Sequence, residues 1–184
     1  EIIKKEGFEA QACAADVTRE QDLEAAILQA RDAWGSVDIL HNNVGVSLAG
    51  GDADLMDIDE EHFDFVCRVT LRGTVFACKH AVRIMREQRS GVIVNIASAA
   101  AVGRYPYVAY KASKAGVVAF TEQLALQNAE YGIRANSILP GLIATPMAIG
   151  RRIEHWKQPR EQVEAERLAK IPLRGQGSVW DVRN

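Results

Sequence analysis

The chain alternates between strand patterns and helix patterns, and this alternation constrains the fold more than any other feature. Short apolar runs predict strands, and longer stretches with apolar residues at helical spacing predict helices between them. The predicted strands cover residues 11–17, 37–41, 91–97 and 133–139. Long helices are predicted from about 59 to 88 and from about 107 to 131. Such alternation is typical of a doubly wound parallel α/β sheet with helices on both faces.

The length of 184 residues predicts a single domain, residues 1–184. Within it, residues 146–175 are charged and helical, and we expect them to form a substrate-binding lid. Residues 1–6 read as the end of a helix, and Ser178 with Asp181 reads as the start of another. We therefore expect the sequence to be an internal part of a larger protein.

Composition excludes several classes of protein. Lys plus Arg number 22 and Asp plus Glu number 24, which argues against a nucleic-acid surface. No apolar run approaches the ~20 residues of a membrane span, so no membrane partner is expected. Three cysteines without a C-x-x-C pair favour a reducing cytoplasm. The four histidines show no paired ligand spacing, so no metal site is expected.

Tyr110 and Lys114 carry the strongest chemical signal. They stand at positions i and i+4 of a predicted helix and therefore share one face. An ammonium group beside a phenol lowers the phenol pKa, so the pair could work as a general acid/base near neutral pH. The alternative is a chance pair on an exposed helix.

Polar or backbone-exposing residues follow each predicted strand. Ser98 follows strand 91–97, where its hydroxyl could bond a substrate oxygen or could serve only as a turn or N-cap serine. Ligands of open α/β sheets bind outside the carboxyl ends of the strands, so these residues converge on one site. The other strand ends carry Asp16-Val17, Asn42-Asn43-Val44-Gly45 and Pro140-Gly141-Leu142-Ile143-Ala144-Thr145.

In order and spacing, these segments resemble the short-chain dehydrogenase/reductase family, a Rossmann-type group that uses NAD or NADP. The resemblance covers essentially the whole chain and includes Asn95-Ile96-Ala97-Ser98 and Tyr110-Lys111-Ala112-Ser113-Lys114. It implies that Tyr110 gives or takes the proton. It also implies that Lys114 holds the nicotinamide ribose and lowers the Tyr110 pKa, and that Ser98 orients the substrate oxygen.

The resemblance further implies a set of cofactor-binding residues. The adenine would lie by Asp16 and Val17, and the adenosine side would be lined by Asn43, Val44 and Gly45. The nicotinamide end would meet Pro140, Gly141, Ile143 and Thr145. The sequence does not choose between NAD and NADP, because that preference depends on a strand which the family carries before the first residue here.

Two features depart from the family pattern. An asparagine usual on the long helix is replaced by Thr70, which puts the proton relay in doubt. The glycine-rich phosphate-binding turn is absent from the sequence. These departures keep open a catalytically silent binding or assembly protein as an alternative.

The preferred hypothesis is an NAD(P)-dependent oxidoreductase that interconverts a secondary alcohol and a ketone. A 3-oxoacyl thioester, a sugar or polyol, a steroid-like ring and a small cyclic alcohol remain open as substrates. An epimerase or dehydratase with the same Tyr/Lys pair is another alternative. The long helices are apolar on more than one side, which favours a homo-oligomer, a dimer or a tetramer. Arg151, Arg152 and Arg160 could meet an anionic substrate, although interleaved glutamates favour a solvated surface.

Overall fold

A computed structural model describes residues 2–173 and 175–183, without the side chains of residues 147, 151, 155 and 183. Arg151 therefore has no described side chain. The strands are β1 (Ile39–Asn42), β2 (Gly91–Ile96) and β3 (Ile133–Ile138). The helices are α1 (Ile2–Lys5), α2 (Glu20–Trp34), α3 (Glu60–Cys67), α4 (Gly73–Gln88), α5 (Val108–Asn128), α6 (Pro146–Trp156), α7 (Arg160–Ala169) and α8 (Val179–Arg183).

The three strands form a parallel sheet in the order β1-β2-β3. On the central strand, Gly91, Ile93 and Asn95 are buried, whereas the alternating residues Val92 and Val94 are only half-buried. The expected parallel α/β architecture is confirmed, and one face of β2 is packed more tightly than the other.

The prediction of a strand at 11–17 is wrong. Residues 11–16 are exposed and irregular, and no strand among the described residues pairs with them. A strand without a neighbour leaves its backbone N–H and C=O groups to water, so an apolar pattern alone does not hold it extended. The sequence Thr18-Arg19-Glu20-Gln21 also fits a capping box with Thr18 as the N-cap of the next helix, and this prediction is wrong as well. The cap of α2 is Arg19, and the Thr18 hydroxyl donates to Asp16 instead.

The long helix predicted for 59–88 is interrupted. A π-helical turn, Arg68–Arg72, joins α3 to α4, and Thr70 lies in it with no solvent exposure. Asp59 caps the start of α3, its carboxylate accepting the His62 N–H at 2.9 Å. A π turn inserts one extra residue per turn, and such turns occur frequently at functional sites.

The main core lies between the sheet and the helices that flank it. It includes Ile27 of α2, Met85 of α4, Ile93 of β2 and Leu124 of α5. A second, smaller apolar cluster lies near the carboxyl ends of the strands and consists of buried Val66, Ala100, Ala109 and Tyr110. Tyr110 thus lies at the end of the sheet where the sequence predicts a site.

Beyond β3, α6 and α7 are separated at Pro159, which stands immediately before the first residue of α7. The chain then returns, and Ile143 pairs with Gly177 in an isolated parallel bridge. Ala144 N donates to Gly177 O at 2.9 Å across the same junction. Among the described residues, no helix is both long and apolar enough to cross a bilayer.

Candidate active site

The first turn of α5 places Tyr110, and a distant acid holds that turn. The Asp52 carboxylate is 3% exposed and accepts the backbone N–H of Ala109 at 2.9 Å and of Tyr110 at 3.0 Å. Ala53 O accepts the Val108 N–H at 3.0 Å. The first N–H groups of a helix have no hydrogen-bond acceptor within the helix, and for α5 the loop around Asp52 supplies these acceptors.

Lys114 lies one turn further along α5 and is buried. Its Nζ donates to Ile96 O at 2.6 Å and to Val44 O at 3.4 Å. These carbonyls belong to the ends of β2 and to the loop after β1, so Lys114 ties two strand ends to α5. Burial lowers the pKa of Lys114 to about 8.

The Lys114 ammonium lies 5.7 Å from the centre of the Tyr110 ring. The expectation that it lowers the Tyr110 pKa is wrong for this structure. Burial is the largest effect and raises the pKa of Tyr110, while the Ser98 hydroxyl and the Arg152 charge lower it in part. The ammonium is directed at backbone carbonyls rather than at the phenol oxygen, which explains the difference.

Ser98 follows β2 and is half-buried. Its hydroxyl lies close enough to Tyr110 to lower the pKa of the phenol, and its Oγ accepts the Ala100 N–H at 3.1 Å. Ser98 therefore caps a short 3-10 turn, as the second sequence interpretation states, and it lies beside Tyr110; its bond to a substrate oxygen stays a prediction. The structure brings Ser98, Tyr110 and Lys114 together as the sequence predicts.

Thr70 faces the same region from the π turn. Its Oγ1 accepts the Val46 N–H at 3.3 Å, and its carbonyl accepts the Thr74 hydroxyl at 2.8 Å. Thr70 therefore fixes the loop that follows β1. The hydrogen bonds described for Thr70 Oγ1 and for Lys114 Nζ do not join the two side chains to each other, although both meet this loop.

The loop after β1 passes close to Lys114 at Gly45. A Cβ atom at Gly45 would lie 3.2 Å from Lys114 Nζ and 3.6 Å from a Thr70 methyl carbon. Asn43 and Val44 are exposed beside it. An ammonium has three donors, and two of those of Lys114 are used here. Space at Gly45 and a remaining donor on Lys114 fit the ribose hydroxyls of a nicotinamide cofactor.

The loop after β3 is linked to the end of β2. Pro140 O accepts the Ala99 N–H at 2.9 Å, which places Pro140 and exposed Gly141 beside the Ser98 turn. Ile143 enters the bridge with Gly177, and the Thr145 Oγ1 caps α6 by accepting the Ala148 N–H at 3.1 Å.

Asp16 and Val17 lie apart from the Tyr110 cluster. The Asp16 carboxylate accepts the Thr18 N–H at 2.9 Å, and these hydrogen bonds lower the pKa of the exposed Asp16 side chain. Val17 packs beside Gly73 at the start of α4. None of the described contacts joins this pair to Tyr110 or Lys114.

Sequence reasoning missed Asp52 and Ser47, whereas Tyr105, with Arg104 and Tyr107, is predicted from the sequence to border the substrate pocket. The Ser47 hydroxyl donates to Asp52 at 3.2 Å and lies 2.9 Å from the Tyr105 hydroxyl. The Tyr105 ring lies 5.4 Å from the Tyr110 ring, centre to centre. The one available signal was the pair Gly50-Gly51 before Asp52, since Gly51 adopts a left-handed φ of +79° that favours glycine.

Comparison with known proteins agrees with this geometry. Residues 1–156 match the family model described as short chain dehydrogenase, and the chain belongs to the short-chain dehydrogenase/reductase family. The 2-(R)-hydroxypropyl-CoM dehydrogenase of Xanthobacter autotrophicus is 36% identical over 169 residues, which is 91% of this chain and 65% of that protein.

Two solved structures show that the similarity extends to the fold. An NAD+-bound xylitol dehydrogenase matches with a TM-score of 0.90 and 29% identity, over 98% of this chain and 72% of that chain. ElxO with NADP bound matches with a TM-score of 0.80 and 29% identity, over 91% of this chain and 65% of that one. The chain spans 53% to 69% of the length of the curated relatives compared.

Proposed function

We propose that the protein is an NAD(P)-dependent oxidoreductase that interconverts a secondary alcohol and a ketone, with Tyr110 as general acid/base. The observation that carries the proposal is the convergence of Ser98, Tyr110 and Lys114 at the carboxyl ends of parallel strands. Membership of a dehydrogenase family and the nicotinamide cofactors bound to structural neighbours support it.

A bound nicotinamide cofactor would supply the hydride chemistry, and the protein would supply orientation and proton transfer. In reduction, Tyr110 Oη gives its proton to the oxygen of the substrate; in oxidation, it takes the proton back. The Ser98 hydroxyl holds the same oxygen and stabilises charge that develops on it. Lys114 binds ribose hydroxyls through the donor that its two backbone carbonyl partners leave free.

For cofactor binding, we propose three groups of residues. Asp16 and Val17 lie on the adenine side, and Asn43, Val44 and Gly45 line the adenosine. Pro140, Gly141, Ile143 and Thr145 hold the nicotinamide end. The cofactor is NAD or NADP. A titration of the full-length protein with NADH and with NADPH, monitored by fluorescence, decides between them.

The test of the chemistry is Tyr110→Phe in the full-length protein. Loss of the hydroxyl should reduce turnover at least about 1,000-fold, because it removes the group that transfers the proton, while cofactor affinity stays within about threefold. Unchanged turnover would exclude Tyr110 as the acid/base. A wild-type protein that binds the cofactor but turns over no alcohol or ketone would favour the silent alternative.

We also propose one domain over 1–184 with residues 146–175 as its substrate lid, in a cytoplasmic homo-oligomer. Several apolar residues that suggested a second packing face, including Val69, Ile84 and Val117, are buried within the chain itself. Leu126 of α5 is still 77% exposed, and a shallow groove along the π turn and α4 is lined by Leu71, Val75 and Phe76. Light scattering on the full-length protein measures the number of subunits.

A further inference from the structure

Two arginines of the proposed lid, Arg152 and Arg167, place positive charge near the tyrosines of the candidate active site. Arg152 of α6 is half-buried, and its Nη1 donates to Ala148 O at 2.6 Å. Its guanidinium carbon lies 5.7 Å from the centre of the Trp156 ring. These contacts hold the side chain along α6, and they leave its charge without a carboxylate partner among the described side chains.

Arg167 of α7 is more deeply placed. It is 5% exposed, and its Nη2 donates to Ile143 O at 3.1 Å. Burial lowers the pKa of Arg167, and the charge of Arg152 lowers it further. Neither guanidinium lies within 4.0 Å of a carboxylate whose position the structure describes. A guanidinium stays charged at any physiological pH, so a buried one needs a counter-charge.

The charge of Arg152 acts on three tyrosines in and next to the Ser98–Tyr110 site. It lowers the pKa of Tyr105, Tyr107 and Tyr110, which come from the loop before α5 and from α5 itself. The Tyr105 ring lies 5.6 Å from the Tyr107 ring and 5.4 Å from the Tyr110 ring. Trp156 lies close enough to the Tyr107 hydroxyl to lower its pKa, so the end of α6 lies next to these tyrosines.

The one described carboxylate that acts on these tyrosines does not neutralise the arginines. Asp52 raises the pKa of Tyr105 and Tyr107, but its oxygens already accept two backbone N–H groups and the Ser47 hydroxyl. Arg160, in contrast, is exposed and paired with Glu164 at 2.7 Å. The solvated-surface interpretation therefore suits Arg160, whereas Arg152 is half-buried and has no carboxylate partner among the described side chains.

We propose that the substrate carries an anionic oxygen group, a carboxylate, sulfonate or phosphate, that is bound by Arg152 while its alcohol or ketone meets Ser98 and Tyr110. Arg167 adds to the positive potential behind Arg152. This inference rests on the proposed function and narrows its substrate to an anionic hydroxy or oxo compound. Planar bidentate binding by a guanidinium gives such a group a fixed orientation.

The test compares acetoacetate with methyl acetoacetate, which share the 3-oxo group and differ in charge. The full-length protein is assayed for reduction of each with NADH and NADPH. Calorimetric titration measures the binding of each independently of turnover. The variants are Arg152→Gln, which removes the charge, and Arg152→Lys, which keeps it. Arg83→Gln, at an exposed arginine of α4 that lies 3.8 Å from Glu24, is the control.

We expect the wild type to favour the acid by about 10-fold to 100-fold in kcat/KM, the range for a hydrogen bond to a charged group. Arg152→Gln should abolish this ratio, Arg152→Lys should keep part of it, and Arg83→Gln should not change it. Equal treatment of acid and ester, a preference that survives Arg152→Gln, or no binding of the acid would each overturn the anionic site.

The two proposals fail in different ways. If the acid binds in an Arg152-dependent manner but neither compound is reduced, the anionic site stands and the oxidoreductase function is wrong. If both compounds are reduced equally well, the oxidoreductase function stands and the anionic site is wrong.

Discussion

Asp52 accepts the backbone N–H of Tyr110 at 3.0 Å, so an acid 58 residues earlier in the chain holds the turn that carries the proposed proton donor. The second Asp52 oxygen holds the neighbouring Ala109 N–H. Because a helix that begins without partners for its first N–H groups frays, this contact fixes the turn from which the Tyr110 side chain projects.

We predict that Asp52→Asn lowers both stability and turnover. An amide offers one acceptor oxygen where the carboxylate offers two, so one buried N–H loses its partner at a cost of about 1–3 kcal/mol. Urea unfolding measures this loss. We expect kcat to fall about 10-fold to 100-fold, because Tyr110 is displaced from its working position.

Asp54→Asn is the control for this variant, since Asp54 is exposed and its carboxylate accepts only the nearby Met56 N–H among the described contacts. Equal effects of the two substitutions would show that Asp52 has no special part in placing Tyr110.

Thr70 gives a second prediction. Thr70→Ala removes the acceptor of the Val46 N–H in a fully buried site, so we expect a loss of about 1–3 kcal/mol in the free energy of unfolding. The loop that Val46 anchors includes Gly45 beside Lys114, so KM for the cofactor should rise more than kcat falls. Thr70→Ser keeps the hydroxyl and should restore KM. A serine variant as defective as the alanine variant would contradict a role for the hydroxyl.

The stability of the protein should depend on the protonation of Lys114. Burial holds its pKa at about 8 in the folded chain, against 10.5 as the ordinary value. Between these pH values the unfolded chain binds the extra proton, so the folded state gains stability as pH rises, by at most about 1.4 kcal/mol per pH unit. Below pH about 8, Lys114 is protonated in both the folded and the unfolded chain, and the folded state is destabilised by the full cost of burying the charge.

Lys114→Met isolates this effect, because the variant lacks the group and all other lysines titrate equally in both proteins. In urea unfolding from pH 7 to 10.5, the free energy of unfolding of the wild type should increase relative to that of the variant as pH rises above about 8. A difference that stays constant across this range would mean that Lys114 is not buried as a charged group.

The cysteines should differ in reactivity. Burial raises the pKa of the Cys78 thiol to about 12, whereas Cys13 is exposed. The thiolate is the reactive form, so at pH 8 we expect iodoacetamide to label Cys13 in the folded protein. Labelling of Cys78 should be more than about 100-fold slower than that of an unfolded cysteine. Peptide mass mapping before and after unfolding measures both, and equal labelling of the two folded cysteines would contradict the fold around β2.

The alternation of patterns predicted the sheet because β1, β2 and β3 are each flanked by helices with a clear apolar face. The site followed from the same pattern, since Ser98 and the Asn43–Gly45 loop come directly after strands whose carboxyl ends must meet. Periodicity reports side chains and not backbone partners, however, and residues 11–17 therefore carried a strand pattern without a neighbouring strand to pair with.

Other features depend on contacts that no local pattern encodes. The π turn at Arg68–Arg72 leaves the apolar spacing almost unchanged, so the sequence reads as one continuous helix. Asp52 lies in an irregular loop, and its role arises only when that loop meets α5. The pKa of Tyr110 depends on how deeply the ring is buried, which the i, i+4 spacing to Lys114 does not report.

The bridge between Ile143 and Gly177 has a consequence for how this protein can change over time. The two residues pair with each other, so the segment between them is a closed loop. The entropic cost of closing such a loop grows only slowly with its length. The helices within it can be lengthened, shortened or exchanged while the strand ends keep their positions. Substrate choice can thus diverge in descendants of this gene without disturbing the groups that move the proton.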